Sequence, residues 1–264
     1  MITTRFVGGA PNWLDVGAPD LDGAVDFYGG LFGWRFRPAG PEAGRYGFFQ
    51  LDGRTVAAGM PTDPEQGPPS WTVYFHSPDA EATAKAVEQA HGTVLTPPMD
   101  VPGQGHMAVL ADRAGVPFGI WQPGRLSGLD VFEVPGALCW LELYSPDIAA
   151  AAGFFNAALG WETTSLAFPG GVYTCVAPAG VGDEGLFGGL VPLTDDPAEA
   201  DSPPYWLPYF EVVDTDAAVA RAQELGGTLR AGPTDVPDVG RMAKLADPYG
   251  ARFAVLKSLP QAGG

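Results

Sequence analysis

Between Trp13 and Phe32 the spacing of hydrophobic residues changes period. Trp13 to Ala18 alternates as a strand does, and Pro19-Asp20 is a helix start. Val25, Phe27, Tyr28, Leu31 and Phe32 then recur at helical spacing as far as Gly33. The same rhythm returns at Trp140, where WLELYSPDIAAAAGFFNAALGW aligns without a gap on WLDVGAPDLDGAVDFYGGLFGW at an offset of 127 residues. A second pair of blocks starts at Trp71 and Trp206, at an offset of 135. In it Asp100-Val101-Pro102 matches Asp235-Val236-Pro237, and Leu110-Ala111-Asp112 matches Leu245-Ala246-Asp247. The second copy therefore carries eight extra residues, expected in the loop LTDDPAEADSPP, residues 193–204.

A fainter period lies inside each half. Pro19-Asp20 and Gly33 recur at Pro78-Asp79 and Gly92, while Asp147 and Gly160 recur at Asp214 and Gly227. Four related units of roughly 60 residues follow. In the second unit, strands are predicted at Thr93 to Leu95, Met107 to Ala111 and Val116 to Trp121. The last two are joined by the turn Asp112-Arg113-Ala114-Gly115, whose counterpart is Asp247-Pro248-Tyr249-Gly250. Each unit reads βαβββ. The expected class is α+β, with two successive domains at residues 6–122 and 137–257 and a turn-rich linker at 123–136.

Composition narrows the partners. The chain has 264 residues, 46% of them hydrophobic, enough for a substantial core. A formal charge of -17 repels phosphate backbones and anionic lipid, so neither nucleic acid nor a membrane is expected as a partner. No apolar run approaches the ~18 residues of a membrane span. Cys139 and Cys175 are too few for a disulfide framework, and MITTRFVGGAPNW lacks the basic and apolar runs of a secretory signal. A cytoplasmic protein with reduced thiols is expected.

With FYGGLFGW and FFNAALGW after Pro-Asp, the late GRMAKLADPYGARFAVLK and the fourfold βαβββ rhythm, the chain resembles tandem members of the vicinal oxygen chelate superfamily. That superfamily includes glyoxalase I, extradiol dioxygenases and bleomycin-resistance proteins, and the likeness is to two-domain glyoxalase-like proteins of actinobacterial type. The resemblance implies four βαβββ units in two domains with curved mixed sheets. It also implies a divalent metal held on the first and last strands of each unit. Carried onto this chain, the first-strand positions are Trp13, Val73, Trp140 and Pro208, and the last-strand positions are Gln50, Gly119, Ala177 and Ala254. None is His, Asp or Glu, so no metal and no other cofactor is expected. A two-residue slip would reach Asp15 or Glu142.

If Trp13 and Trp140 face a cavity, alternation sends Asp15, Glu142, Phe48, Phe75, Phe210 and Trp121 the same way. The same residues also read as ordinary core. Together they describe an apolar concave surface with a few acids, suited to a flat aromatic ligand, with a cation favoured in the second half. His76 and Glu211 are repeat partners, as are His106 and Arg241, and each pair either lines a cavity or faces solvent. His91 reads as a helix C-terminal residue. Buried cysteine is ordinarily a small hydrophobe, and no zinc-spaced cluster, P-loop or nucleophile elbow is present. Three readings result. The first is a metal-free binder of an aromatic or natural-product-like molecule, acting in antibiotic sequestration or as an accessory protein. The second is a lyase, isomerase or dioxygenase-like hydroxylase using Asp15, His76, Glu142 or Glu211 as acid, base or displaced ligand. The third is a protein-interaction role with degenerate cavities.

Overall fold

A computed structural model describes residue 2, residues 6–63, residue 65 and residues 67–168, 171–195 and 202–259. Its elements form four βαβββ modules. The first comprises β1 Pro11–Ala18, α1 Leu21–Phe32, β2 Arg35–Pro38, β3 Gly47–Leu51 and β4 Arg54–Pro61. The second comprises β5 Ser70–His76, α2 Ala80–Gln89, β6 Thr93–Val101, β7 Gly105–Ala111 and β8 Pro117–Pro123. In the third are β9 Leu138–Ser145, α3 Ile148–Leu159, β10 Trp161–Phe168, β11 Gly171–Pro178 and β12 Gly188–Pro192. The fourth has β13 Tyr205–Glu211, α4 Thr215–Glu224, β14 Thr228–Val236, β15 Gly240–Ala246 and β16 Arg252–Ser258.

The sequence period is written into the helix caps. Asp20, Asp79, Asp147 and Asp214 each sit in extended geometry at the N-cap and accept the amide three residues on. Gly33 (φ 74) and Gly160 (φ 70) end α1 and α3 in left-handed geometry. After α2 that conformation falls on His91 (φ 66), a helix-end residue as its position in the sequence suggests.

Each half of the chain forms one open eight-stranded sheet, in the orders β2-β3-β4-β1-β5-β8-β7-β6 and β10-β11-β12-β9-β13-β16-β15-β14. Both are mixed: the first strand of every module runs parallel to its last, and the second and third strands pair antiparallel with their neighbours. The strand expected at Thr93 to Leu95 runs on through Pro97-Pro98 to Val101. It tolerates the prolines because β6 lies at a sheet edge and its pairing register shifts between Thr96 and Met99. The second-half insertion is divided. Phe48 pairs with Ala58 but Cys175 with Gly189, so four of the eight residues lie in the β11–β12 connection, around the short 3-10 turn Gly182–Gly185. The other four belong to the connection before β13, of which residues 196–201 lie outside the described residues. Along the stretch expected to be a linker, Leu129, Val131 and Phe132 are buried, and Asp130 accepts the Thr55 amide.

Packing groups the chain into two compact units. One consists of the described residues of 1–14, 72–129 and 140–207, and the other of those of 15–71, 130–139 and 208–264. In the first, Phe155 stacks on Trp161 at 4.3 Å, and Phe75, Phe118, Phe187 and Trp206 complete the aromatic core. In the second, Tyr28 lies among Trp34, Phe49, Trp71 and Phe253. Its hydroxyl donates to Asp247 Oδ2 at 3.1 Å, and the same carboxylate takes the amides of Tyr249 and Ala251. Burial raises the pKa of the Asp247 carboxyl. Among the described residues, no helix is long and apolar enough to cross a membrane.

Tyr28→Phe removes the one side-chain donor that the described residues give the buried Asp247 carboxylate and should cost about 1–3 kcal/mol. Urea unfolding of the variant measures this, and an unchanged midpoint would show that the turn holds Asp247 without it.

Candidate ligand-binding site

The central strands β1 and β9 are buried along nearly their whole length. Alternation places Leu141 and Leu143 on one face of β9 and Trp140, Glu142 and Tyr144 on the other. Glu142 is 9% exposed and needs donors there. Tyr144 Oη donates to its Oε2 at 2.8 Å, and Tyr173 Oη donates to its Oε1 at 2.8 Å. Trp140 Nε1 in turn donates to Tyr173 Oη at 2.8 Å. The Tyr144 ring is stacked on Tyr205 at 4.8 Å, with 3° between the planes. Trp140, Tyr173 and Tyr205 are half-buried, so the network that holds the buried acid reaches three partly exposed rings.

Gly189 makes this arrangement possible. It is the strand partner of both Glu142 and Cys175, and a Cβ there would collide with the Tyr173 phenol. Burial, followed by the Glu142 charge, pushes the Tyr144 and Tyr173 hydroxyls far above the usual phenol pKa, so both remain protonated donors. Burial, then Asp183 and Glu142, pushes the Cys175 thiol up to about 11. Cys139 is raised as well, chiefly by burial, so neither cysteine is an activated nucleophile.

The first half repeats the theme loosely. Tyr46 Oη donates to Asp15 Oδ2 at 3.3 Å, and the half-buried Phe48 ring carries the Arg37 guanidinium 5.3 Å from its centroid. Here Ala58, the strand partner of both Asp15 and Phe48, stands where the second half has Gly189.

Residues 10–120 match the family model described as "Glyoxalase/Bleomycin resistance protein/Dioxygenase superfamily", and residues 140–256 match one described as "Glyoxalase-like domain". The chain belongs to this glyoxalase superfamily. It is 40% identical to the anthracycline biosynthesis protein DauV of Streptomyces sp. (strain C5), across 96% of this chain and 95% of that one. The anthracycline biosynthesis protein DnrV of Streptomyces peucetius matches at the same identity and coverage. Among solved structures, the 2,3-dioxygenase LapB from Pseudomonas sp. KL28 superposes with a TM-score of 0.64 at 16% identity, over 98% of this chain and 97% of that one. The Mn(II)-bound glyoxalase from Novosphingobium aromaticivorans gives 0.63 at 16% identity, over 96% and 83%. These two likenesses show the fold.

The metal of the superfamily's enzymes does not fit the residues present. Aligning the helix caps sets Thr72 and Leu207, rather than Val73 and Pro208, level with Trp13 and Trp140. Strand pairing sets Ala58, Gly119, Gly189 and Ala254 on the last strands opposite Asp15, Tyr74, Glu142 and Tyr209. Gln50 and Ala177 belong to the third strands instead. Among the described residues, no three His, Cys, Asp or Glu side chains converge, and both nearby acids accept tyrosine hydroxyls.

The remaining sequence candidates separate. Phe75 and Phe210 are fully buried in the aromatic cores, Phe75 against Trp161 and Phe210 against Phe32, Trp34 and Trp71. Trp121 is buried, and its Nε1 donates to the Leu126 carbonyl, tying down the turn after β8. Trp13 is 5% exposed. His76 is half-buried and its pKa is lowered by burial, which keeps the imidazole neutral. Glu211 receives the Ser258 amide and hydroxyl, a strand-end clasp. His106 lies in an exposed pair with Asp100, and Arg241 bridges Asp216 and Asp235. Sequence reasoning missed Tyr46, Tyr144, Tyr173 and Tyr205. Tyr46 and Tyr173 recur at the same 127-residue offset as Asp15 and Glu142, a signal that was available.

Gly189→Ala should drive Tyr173 off Glu142 and destabilise the protein by about 1–3 kcal/mol. Urea unfolding together with Trp140 fluorescence reads both effects, and unchanged values would mean that Tyr173 does not depend on the missing Cβ.

Proposed function

We propose that this chain binds a flat, hydroxylated aromatic small molecule on the Trp140 face, without a metal ion. The observation that carries this reading is the buried Glu142 carboxylate, held by the hydroxyls of Tyr144 and Tyr173 in a network that reaches the half-buried rings of Trp140, Tyr173 and Tyr205. Rings offer a planar ligand a stacking surface, and the acid favours a hydroxyl donor or a cation at its edge. The names of the Streptomyces relatives add support, since an anthracycline is itself a flat hydroxylated polycycle. Sequestration or an accessory role in making such a compound follows naturally from a site of this kind. A second reading makes Glu142 a metal-independent acid or base, favoured by its continuous connection through Tyr173 to half-exposed Trp140.

Calorimetric titration of a soluble hydroxyanthraquinone in EDTA tests the proposal. Wild type and Trp13→Phe should bind alike, while Trp140→Phe should lose roughly 1–3 kcal/mol. Equal affinity in Trp140→Phe would contradict the assignment. Under the second reading, Glu142→Gln would bind the ligand but abolish any turnover of it.

A further inference from the structure

The two compact units differ at the turn between the last two strands of a module. In the second unit the turn Asp247-Pro248-Tyr249-Gly250 lays the Tyr249 phenol over Gly23, so closely that a Cβ on Gly23 would strike it. The hydroxyl donates to Oδ2 of the helix cap Asp20 at 3.1 Å. The first unit has the same turn, with Ala114 N donating to Asp112 Oδ1 as Tyr249 N donates to Asp247 Oδ1. Here, however, Ala114 stands for Tyr249 and Ala150 for Gly23. What remains is a half-open pocket of about 240 Å³, lined by Asp112, Ala114, the exposed Asp147, Ala150, Ala151 and Phe154 among others. A cavity of roughly 150 Å³ is enough to accept a benzene ring.

Both acids in this cavity lack a phenol that their counterparts have. Asp147 Oδ1 takes the Ala150 amide as Asp20 Oδ1 takes that of Gly23, but no described group donates to Asp147 Oδ2. Asp112 is 4% exposed, and Phe155 replaces the tyrosine that serves Asp247. Aspartate accepts hydrogen bonds and cannot offer one while ionised. We infer that this cavity is a binding site for a small phenol, whose ring takes the place of Tyr249 and whose hydroxyl donates to Asp147. The site is separate from the Trp140 face and does not depend on what binds there.

Titration of the full chain with phenol and with toluene, followed by amide NMR, tests the inference. Phenol should shift the amides of Ala114 and Ala150 saturably, with toluene roughly ten-fold weaker for want of the hydroxyl. Ala114→Tyr should abolish those shifts. Should that variant fail to fold, Ala150→Leu fills the cavity from the helix side with the same expected loss. Tyr249→Ala should open a matching cavity in the second unit and add a second saturable set of shifts around Gly23. Unmoved Ala114 and Ala150 amides in the wild type, full binding by a filled variant, or no new site in Tyr249→Ala would each overturn the assignment.

Discussion

A carboxylate stripped of water persists in a protein interior only if donors replace that water, and on the Trp140 face Glu142 meets the requirement with two phenols. The two phenols that satisfy it dictate much around them. Tyr173 can reach the acid because Gly189 has no side chain beneath its ring. Tyr144 is fixed by its stack on Tyr205, and Trp140 holds Tyr173 from the other side. An acid held by two phenols and linked through them to half-buried aromatic rings is a recognition surface more than a ligand set for an ion.

The internal repeat shows how such a surface diverges. Asp15 and Tyr46 preserve the acid and its phenol in the first half, yet Ala58 in place of Gly189 goes with a longer bond, 3.3 Å against 2.8 Å. Gly17 stands where the second half has Tyr144, so that phenol has no counterpart at its repeat position. The same substitution logic separates the turns between the last two strands, where Tyr249 covers Gly23 in one unit and Ala114 leaves a pocket in the other. One scaffold thus presents related positions with unequal chemistry.

The fold was legible because its signals are local and repeated: aspartate caps, glycine stops and a hydrophobic period that switches from two to nearly four. The four N-cap aspartates lie where the repeat put them. The face of each central strand was harder to read. With β1, β5, β9 and β13 largely buried on both sides, hydropathy does not distinguish a ring in the core from one at the site. Phe75 and Phe210 joined the candidates on that ambiguity, and a one-residue difference in register set Val73 and Pro208 where Thr72 and Leu207 stand. The repeat marks Tyr46 and Tyr173 as equivalent, but the reach of Tyr173 to Glu142 rests on a missing side chain on a neighbouring strand. No single-segment pattern records that.

Elemental analysis of protein produced in medium supplemented with manganese, iron, nickel and zinc, paired with melting in EDTA, bears most directly on whether this site works without an ion. The account predicts no stoichiometric divalent metal and an unchanged melting temperature in the chelator. About one tightly held metal per half, with melting lowered by EDTA, would contradict it.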